Sequence, residues 1–170
     1  MYSLNGTIPS AIVEQRDALE AELAVFDRIR DPLTLVIKRF GDRSGASIDA
    51  LEAAVGDALA GWGPIAVRVT SIDAFVDPPS GVGPVIYLVV ESPGLVELHE
   101  TLTEQFGTAD PAIEGPNYIP HITLARGGPK TGIESLTGHR IDPIEWTSEE
   151  IHLWSVRYEQ PVWTLSLPRS

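Results

Sequence analysis

A chain of 170 residues, 43% of them hydrophobic, is long enough to bury a core of its own. Its 24 acidic residues outnumber 12 basic ones, giving a net charge of −12, and the only lysines are Lys38 and Lys130; such a surface repels nucleic acid at long range. The absence of cysteine excludes disulfides and thiolate metal sites, and no apolar run approaches the ~18 residues of a membrane helix.

Met1 to Pro9 lacks the basic and apolar blocks of a signal peptide, so a cytoplasmic protein without membrane association is expected. The acidity has two readings. One is a surface that excludes acidic ligands. The other is a salt-adapted, halophile-like surface of hydrated carboxylates. Either way a phosphate site must be local and built from few cations. In strong salt the screening length falls to ~3 Å at 1 M, and the global repulsion then matters little.

Tyr2 to Ile8 alternates and reads as an opening strand, with Ser10 a cap for the helix that follows. From Ala11 to Phe26, Ile12, Leu19, Leu23 and Phe26 recur at helical spacing. Leu33 to Ile37 is a β-branched run leading to Gly41, a strand, and Ser47 caps a second helix from Ile48 to about Ala60. Ile65–Val76 and Pro84–Glu91 read as strands joined by the loop Asp77–Gly83. Gly94 to Phe106 is a third helix, and Tyr118 to Arg126 another strand. Gly127 to Thr147 has no strong period. Glu150–Tyr158 and Val162–Leu167 read as two strands turning at Gln160-Pro161. This order predicts an α+β domain, residues 1–170, with largely antiparallel sheets and helices outside.

The sharpest segment for chemistry is Pro120-His121-Ile122-Thr123-Leu124-Ala125-Arg126. Residues two apart on a strand share a face. His121 and Thr123 therefore point one way, and Ile122 and Leu124 the other. An imidazole transfers protons near neutral pH, and a hydroxyl donates to a phosphoryl oxygen. Pro32-Leu33-Thr34-Leu35-Val36 echoes this segment. With the threonines aligned, Leu33 matches Ile122 and Leu35 matches Leu124. Such an echo suggests two pseudo-symmetric lobes with like strands lining one cleft. Parity puts Thr34, Val36 and Lys38 on one face. It turns Arg126 away from His121 unless the strand bends at Gly127-Gly128.

Both threonine-bearing strands, with the run Tyr118 to Ala125, make the chain resemble the two-histidine phosphoesterase superfamily, of the 2′-5′ RNA ligase and cyclic phosphodiesterase type. The resemblance spans nearly the whole chain and is loosest from Gly127 to Thr147. It implies a bilobal fold in which two antiparallel sheets form a V-shaped cleft with helices outside. It also implies metal-independent acid–base chemistry by two facing His-x-Thr motifs, with no cofactor. The implied substrates are 2′,3′-cyclic phosphates or 2′-5′ linkages, so RNA ends or nucleotide phosphates are the expected partners. His121, Thr123 and Thr34 take the catalytic places. Lys38, Arg126 and Tyr118 are candidates for substrate binding, Tyr118 as a stacking ring. His152 and Trp154, sharing a strand face, are a further candidate pair for the cleft, with Trp154 stacking on a base. His99 reads as a surface residue, and His139 lies in the variable loop.

The chain departs from the family at the first motif. With the threonines aligned, Pro32 stands where the first histidine belongs; with the prolines aligned, that histidine is deleted. A normal lysine at position 38 is a poor acid or base at pH 7. Three readings follow: a weakened phosphodiesterase, a non-catalytic binder of RNA ends or nucleotides, or an interaction scaffold with a decayed site.

Overall fold

The computed structural model describes residues 1–41 and 47–168. In chain order the elements are β1 (Tyr2–Gly6), α1 (Ser10–Ala18), α2 (Glu20–Leu23), β2 (Arg28–Ile29), β3 (Leu35–Phe40), α3 (Ile48–Ala58), β4 (Ile65–Phe75), β5 (Val85–Glu91), α4 (Pro93–Phe106), β6 (His121–Arg126), α5 (Ile133–Thr137), β7 (Ile144–Ser148), β8 (Glu150–Ser155) and β9 (Gln160–Ser166). They build two sheets, β3-β1-β8-β9 and β2-β6-β5-β4-β7. Every pairing is antiparallel. This is the α+β, two-sheet architecture that the element order and the resemblance predict.

Alternation makes each sheet two-faced. Leu4, Leu35, Ile37, Ile151 and Leu153 of the first sheet are fully buried, as are Val69, Ile86, Leu88, Ile122 and Leu124 of the second. All belong to one apolar cluster with the helix residues Leu95, Leu98 and Leu102. Burying one such side chain contributes about 1.5–3 kcal/mol. Capping fixes two helix starts. The Ser47 hydroxyl accepts from Ala50 N–H at 3.2 Å. The Ser92 hydroxyl accepts from Leu95 N–H and donates to the carbonyl of Ala66 on β4 at 2.6 Å, which ties α4 to the second sheet. Pro93 at the first helical position needs no hydrogen-bond partner for its nitrogen.

The structure departs from the sequence expectation in several places. The helix expected from Ala11 to Phe26 breaks at Leu19, whose N–H bonds to the Arg16 carbonyl three residues back, the tighter turn of a 3₁₀ step. Ser10 lies within α1, and Pro9 occupies the cap. The loop-rich stretch after Gly127 carries α5 and strand β7, which pairs with β4. The two-residue β2 pairs with β6. The last hairpin turns before Gln160, where Glu159 adopts φ 50°, and Gln160 and Pro161 already belong to β9.

Two irregularities set what the strands present. In β3, Val36 pairs with Asn5 and Lys38 with Leu4, which leaves Ile37 as an extra residue. In β6, Thr123 pairs with Tyr87 and Ala125 with Ile86, which leaves Leu124 extra. A bulge of this kind puts two consecutive residues on the buried side and re-aims everything beyond it. Ile37 and Lys38 are both buried, and so are Leu124 and Ala125.

Candidate functional site

A cavity of about 720 Å³ opens between the two sheets, walled by β3, β6, the 109–119 segment and the β4–β5 loop. His121, Arg39, Arg30 and Arg126 line it, with Phe75 and Tyr118. The bulges explain this membership. Beyond Leu124, Arg126 returns to the face of His121 and Thr123. Beyond Ile37, Arg39 and not Lys38 shares the face of Val36. Simple parity, which paired Lys38 with Thr34 and turned Arg126 away, is overturned at both positions.

Lys38 is instead 2% exposed. Its ammonium donates to Glu114 Oε1 at 2.5 Å and to the Arg39 carbonyl at 2.6 Å. Lys38 borders the cavity with its ammonium engaged by these two partners. Glu114 Oε2 accepts from the N–H groups of Ala109 and Asp110 at 2.7 and 2.6 Å. Burial alone would push the Glu114 carboxyl up. The bond and charge of Lys38, with those two amides, hold it below the usual range.

His99, read from the sequence as a surface residue, is 1% exposed. Its Nδ1 donates to the Ile37 carbonyl at 2.7 Å, and its Nε2 accepts from Gly115 N–H at 2.8 Å. Both ring nitrogens are used, and burial lowers the ring's proton affinity. The ring stacks on Tyr118 at 3.9 Å, so one face of Tyr118 is covered. The Tyr118 hydroxyl donates to the Val36 carbonyl at 2.9 Å, and burial raises its proton affinity. Together these contacts clamp the 109–118 segment onto β3, and that segment leads directly into His121.

His121 starts β6 opposite Val89. Its Nδ1 lies 2.7 Å from the Ile119 carbonyl. A carbonyl can only accept, so Nδ1 carries the proton, and in the neutral ring Nε2 is left as the basic nitrogen. Phe75 and Tyr87 meet the imidazole edge to face at 5.5 and 5.4 Å and stack on each other at 4.2 Å. Burial is the main reason that the ring's proton affinity falls below that of an ordinary histidine. The Ile119 bond opposes it, and Arg39, Arg126 and Arg30 reinforce it.

Thr123, opposite Tyr87, is half-buried on the same strand face as His121. Thr34 is half-buried just before β3, between the buried Leu33 and Leu35. Neither threonine lines the cavity itself. Counting from the bulges, Thr34, Val36 and Arg39 take in β3 the places that His121, Thr123 and Arg126 take in β6. The structural counterpart of His121 is therefore Thr34 and not Pro32, which is exposed outside the strand.

His152 and Trp154 share a face of β8, opposite Asn5 and Ser3 of β1. Neither lines the cavity. His152 Nδ1 sits 2.9 Å from Thr164 Oγ1. Ser3 donates to Asn5 Oδ1 at 2.8 Å. His139 lies 3.7 Å from Glu22, away from the cavity. Arg39 and Arg30 were not foreseen. For Arg39, the signal in the sequence was its spacing of three residues from Val36, which repeats the spacing of Arg126 from Thr123.

Known structures share this fold. The chain covers 98% of its length and 97% of the other when superposed on TT0787 of Thermus thermophilus, with a TM-score of 0.67 and 18% identity. Escherichia coli LigT complexed with NADP+ superposes with a TM-score of 0.66 and 18% identity over 99% of this chain and 97% of that one. LigT complexed with 3′-AMP gives 0.65 and 20%, over 99% and 98%. A search of curated proteins finds no match. The sequence profile of the 2′-5′ RNA ligase superfamily matches residues 12–159, and the chain belongs to that superfamily.

Proposed function

We propose that the protein is a phosphodiesterase-like enzyme of the cytoplasm. It acts on 2′,3′-cyclic phosphates or 2′-5′ linkages of nucleotides or RNA ends, by acid–base chemistry with a single imidazole. The observation that carries this reading is His121 Nε2, the free basic nitrogen of a tautomer fixed by the Ile119 carbonyl, in a cavity shared with arginines. Neutral His121 takes a proton from water as the oxygen attacks phosphorus. The bond to the leaving ribose oxygen breaks, and that oxygen is protonated by solvent. Arg39 from the facing strand balances the charge of the phosphoryl oxygens. Thr123 and Thr34 stand behind the cavity wall, and we assign them hydrogen bonds to a phosphoryl oxygen that reaches past it, with no proton exchanged at neutral pH. Complexes of relatives with 3′-AMP, ATP and NADP+ support a nucleotide phosphate as ligand.

The test is hydrolysis of a nucleoside 2′,3′-cyclic phosphate at high salt. His121→Ala is expected to lower kcat/KM by about 10²-fold or more, and equal rates for wild type and variant would remove this reading. The pH profile gives a second check. A ring with lowered proton affinity stays neutral to lower pH. Activity should hold as pH falls to the ordinary histidine value near ~6.5 and decline only below it. A bound phosphate offsets the arginines, so the acid limb of kcat should lie at higher pH than that of kcat/KM. An acid limb of kcat/KM above the ordinary histidine value would contradict the assignment.

A non-catalytic nucleotide binder is the second reading, favoured by Thr34 standing where the facing strand has an imidazole. Calorimetric binding of cyclic and linear nucleotides without turnover would establish it.

A further inference from the structure

We infer that His99 is a positioning residue for His121: from helix α4 it holds the backbone that presents the Ile119 carbonyl to the His121 ring, and it does so only as a neutral, Nδ1-protonated imidazole. This rests on the reading above only in taking His121 as the reacting ring.

Three observations carry the inference. The first is an unbroken run of contacts. His99 Nδ1 donates to the Ile37 carbonyl at 2.7 Å, which anchors the ring to β3. Its Nε2 accepts from Gly115 N–H at 2.8 Å, where the chain turns with φ +63°. The Gly115 carbonyl accepts from Tyr118 N–H at 3.1 Å. The Tyr118 ring lies on His99, 12° from parallel, and its hydroxyl reaches the Val36 carbonyl. Ile119 follows, and its carbonyl sits at His121 Nδ1. The Ile119 side chain is 47% exposed, so the anchors of this carbonyl lie at Gly115 and Tyr118. Phe75 and Tyr87 touch the His121 ring through aromatic contacts, which do not select a tautomer.

The second is direction. A backbone carbonyl only accepts, and a backbone N–H only donates. The Ile37 carbonyl at one nitrogen and Gly115 N–H at the other admit one form of the His99 ring. A second proton, on Nε2, would face the Gly115 hydrogen. Thr103 Oγ1, 3.3 Å from Nε2, can take that proton, but Gly115 N–H then loses its acceptor.

The third is the surroundings. His99 is buried. Glu100 and Thr103 flank it on α4, Lys38 faces it from β3, and Glu114 and Tyr118 face it from the 109–118 segment. Burial is the largest influence and disfavours the charged ring, and Lys38 adds to it. The Ile37 bond, Glu114 and Glu100 act in the opposite sense. The ring is therefore neutral at pH 7 and gains its proton in acid. Acid then disables the centre through two rings, His121 directly and His99 through the backbone it holds.

The test uses the full chain with ¹⁵N-labelled histidine. His99→Phe keeps a flat ring against Tyr118 and loses both hydrogen bonds. His99→Gln does not titrate and can still accept from Gly115 N–H. At neutral pH, His121 should show the single Nδ1-protonated tautomer in wild type and in His99→Gln, and a mixture of tautomers in His99→Phe. For cyclic phosphate hydrolysis, kcat should fall about tenfold to 10²-fold in His99→Phe with KM little changed, and recover in His99→Gln. The acid limb of log kcat/KM should steepen to a slope of two in wild type and stay at one in His99→Gln. In the wild-type chain, exchange protection of the Gly115 amide should be lost as His99 gains its proton. A folded His99→Phe that keeps the His121 tautomer overturns the inference. So does an equal acid slope in wild type and His99→Gln, or Gly115 protection that outlasts the titration of His99. If His99→Phe does not fold, the slopes and the Gly115 titration decide. If no variant or wild type turns over the cyclic phosphate, the proposed function falls, and the tautomer and Gly115 measurements still decide the role of His99.

Discussion

Introducing histidine at position 34, together with Val36→Thr, is expected to raise kcat/KM for 2′,3′-cyclic phosphate hydrolysis by about 10²–10⁴-fold, the usual worth of a positioned acid–base group. The basis is the matched pair of bulges. Ile37 in β3 and Leu124 in β6 are each the extra residue of their strand. Thr34 is three residues before one bulge, and His121 is three residues before the other. A threonine hydroxyl neither gives nor takes a proton at pH 7, so in the proposed mechanism solvent protonates the leaving oxygen. An imidazole at 34 supplies that proton. The strand tolerates the change because Thr34 is only half-buried and just outside the regular part of β3. The gain should vanish when His121→Ala is added, since the two rings act on one phosphorus group. Histidine placed at position 32 instead should give no gain. A folded variant with no rise in rate, or a rise from position 32, would show that the bulge register does not define the catalytic places.

Lys38→Met is expected to cost about 3–5 kcal/mol of stability, because it leaves Glu114 as an uncompensated buried charge. The carboxylate is 3% exposed and faces Lys38 on one oxygen. The Ala109 and Asp110 amides bond the other oxygen but supply no positive charge. Chemical denaturation at neutral pH measures the loss. Adding Glu114→Gln should return part of it, since the stranded charge is then gone. The pH dependence has a definite sign. The folded Glu114 carboxyl lies below its unfolded value, so its stabilising contribution is complete above the ordinary glutamate range and lost as pH falls through the lowered folded value. In Lys38→Met burial pushes the stranded carboxyl the other way, above its unfolded value, so lowering the pH through that raised value should return part of the lost stability. A cost below about 1 kcal/mol, the range of an exposed pair, would mean that the pair is not buried in solution.

The sequence announced most of the elements because their periods were clear. The strand faces of β5 and the stripe of α4 needed only alternation and helical spacing. Position 99 shows where the reading stopped short. It is four residues after Leu95 and three before Leu102, squarely on the buried stripe, yet a histidine there suggested solvent. The Ile37 carbonyl that satisfies it lies 62 positions away in the chain. The same holds for Lys38, whose partner Glu114 is 76 residues distant. The bulges were the harder loss. One extra residue in a six-residue strand is invisible to a period-two count, and it exchanges Lys38 for Arg39 and restores Arg126. Strand β2 has two residues, too few for any period, so Arg30 went unseen with it. The candidate centre at His121 was legible because a proline, an imidazole and a hydroxyl sit in one run. Its surroundings depend on contacts between distant segments.

Tyr118 grips the first sheet through the main-chain oxygen of residue 36, and every amino acid carries that oxygen. Side chains at 36 can therefore be exchanged without releasing the wall that leads into His121. The position is free to drift between apolar and hydroxylated residues over evolutionary time. A lineage could pass through a nearly inert intermediate and regain reactivity without rebuilding its scaffold.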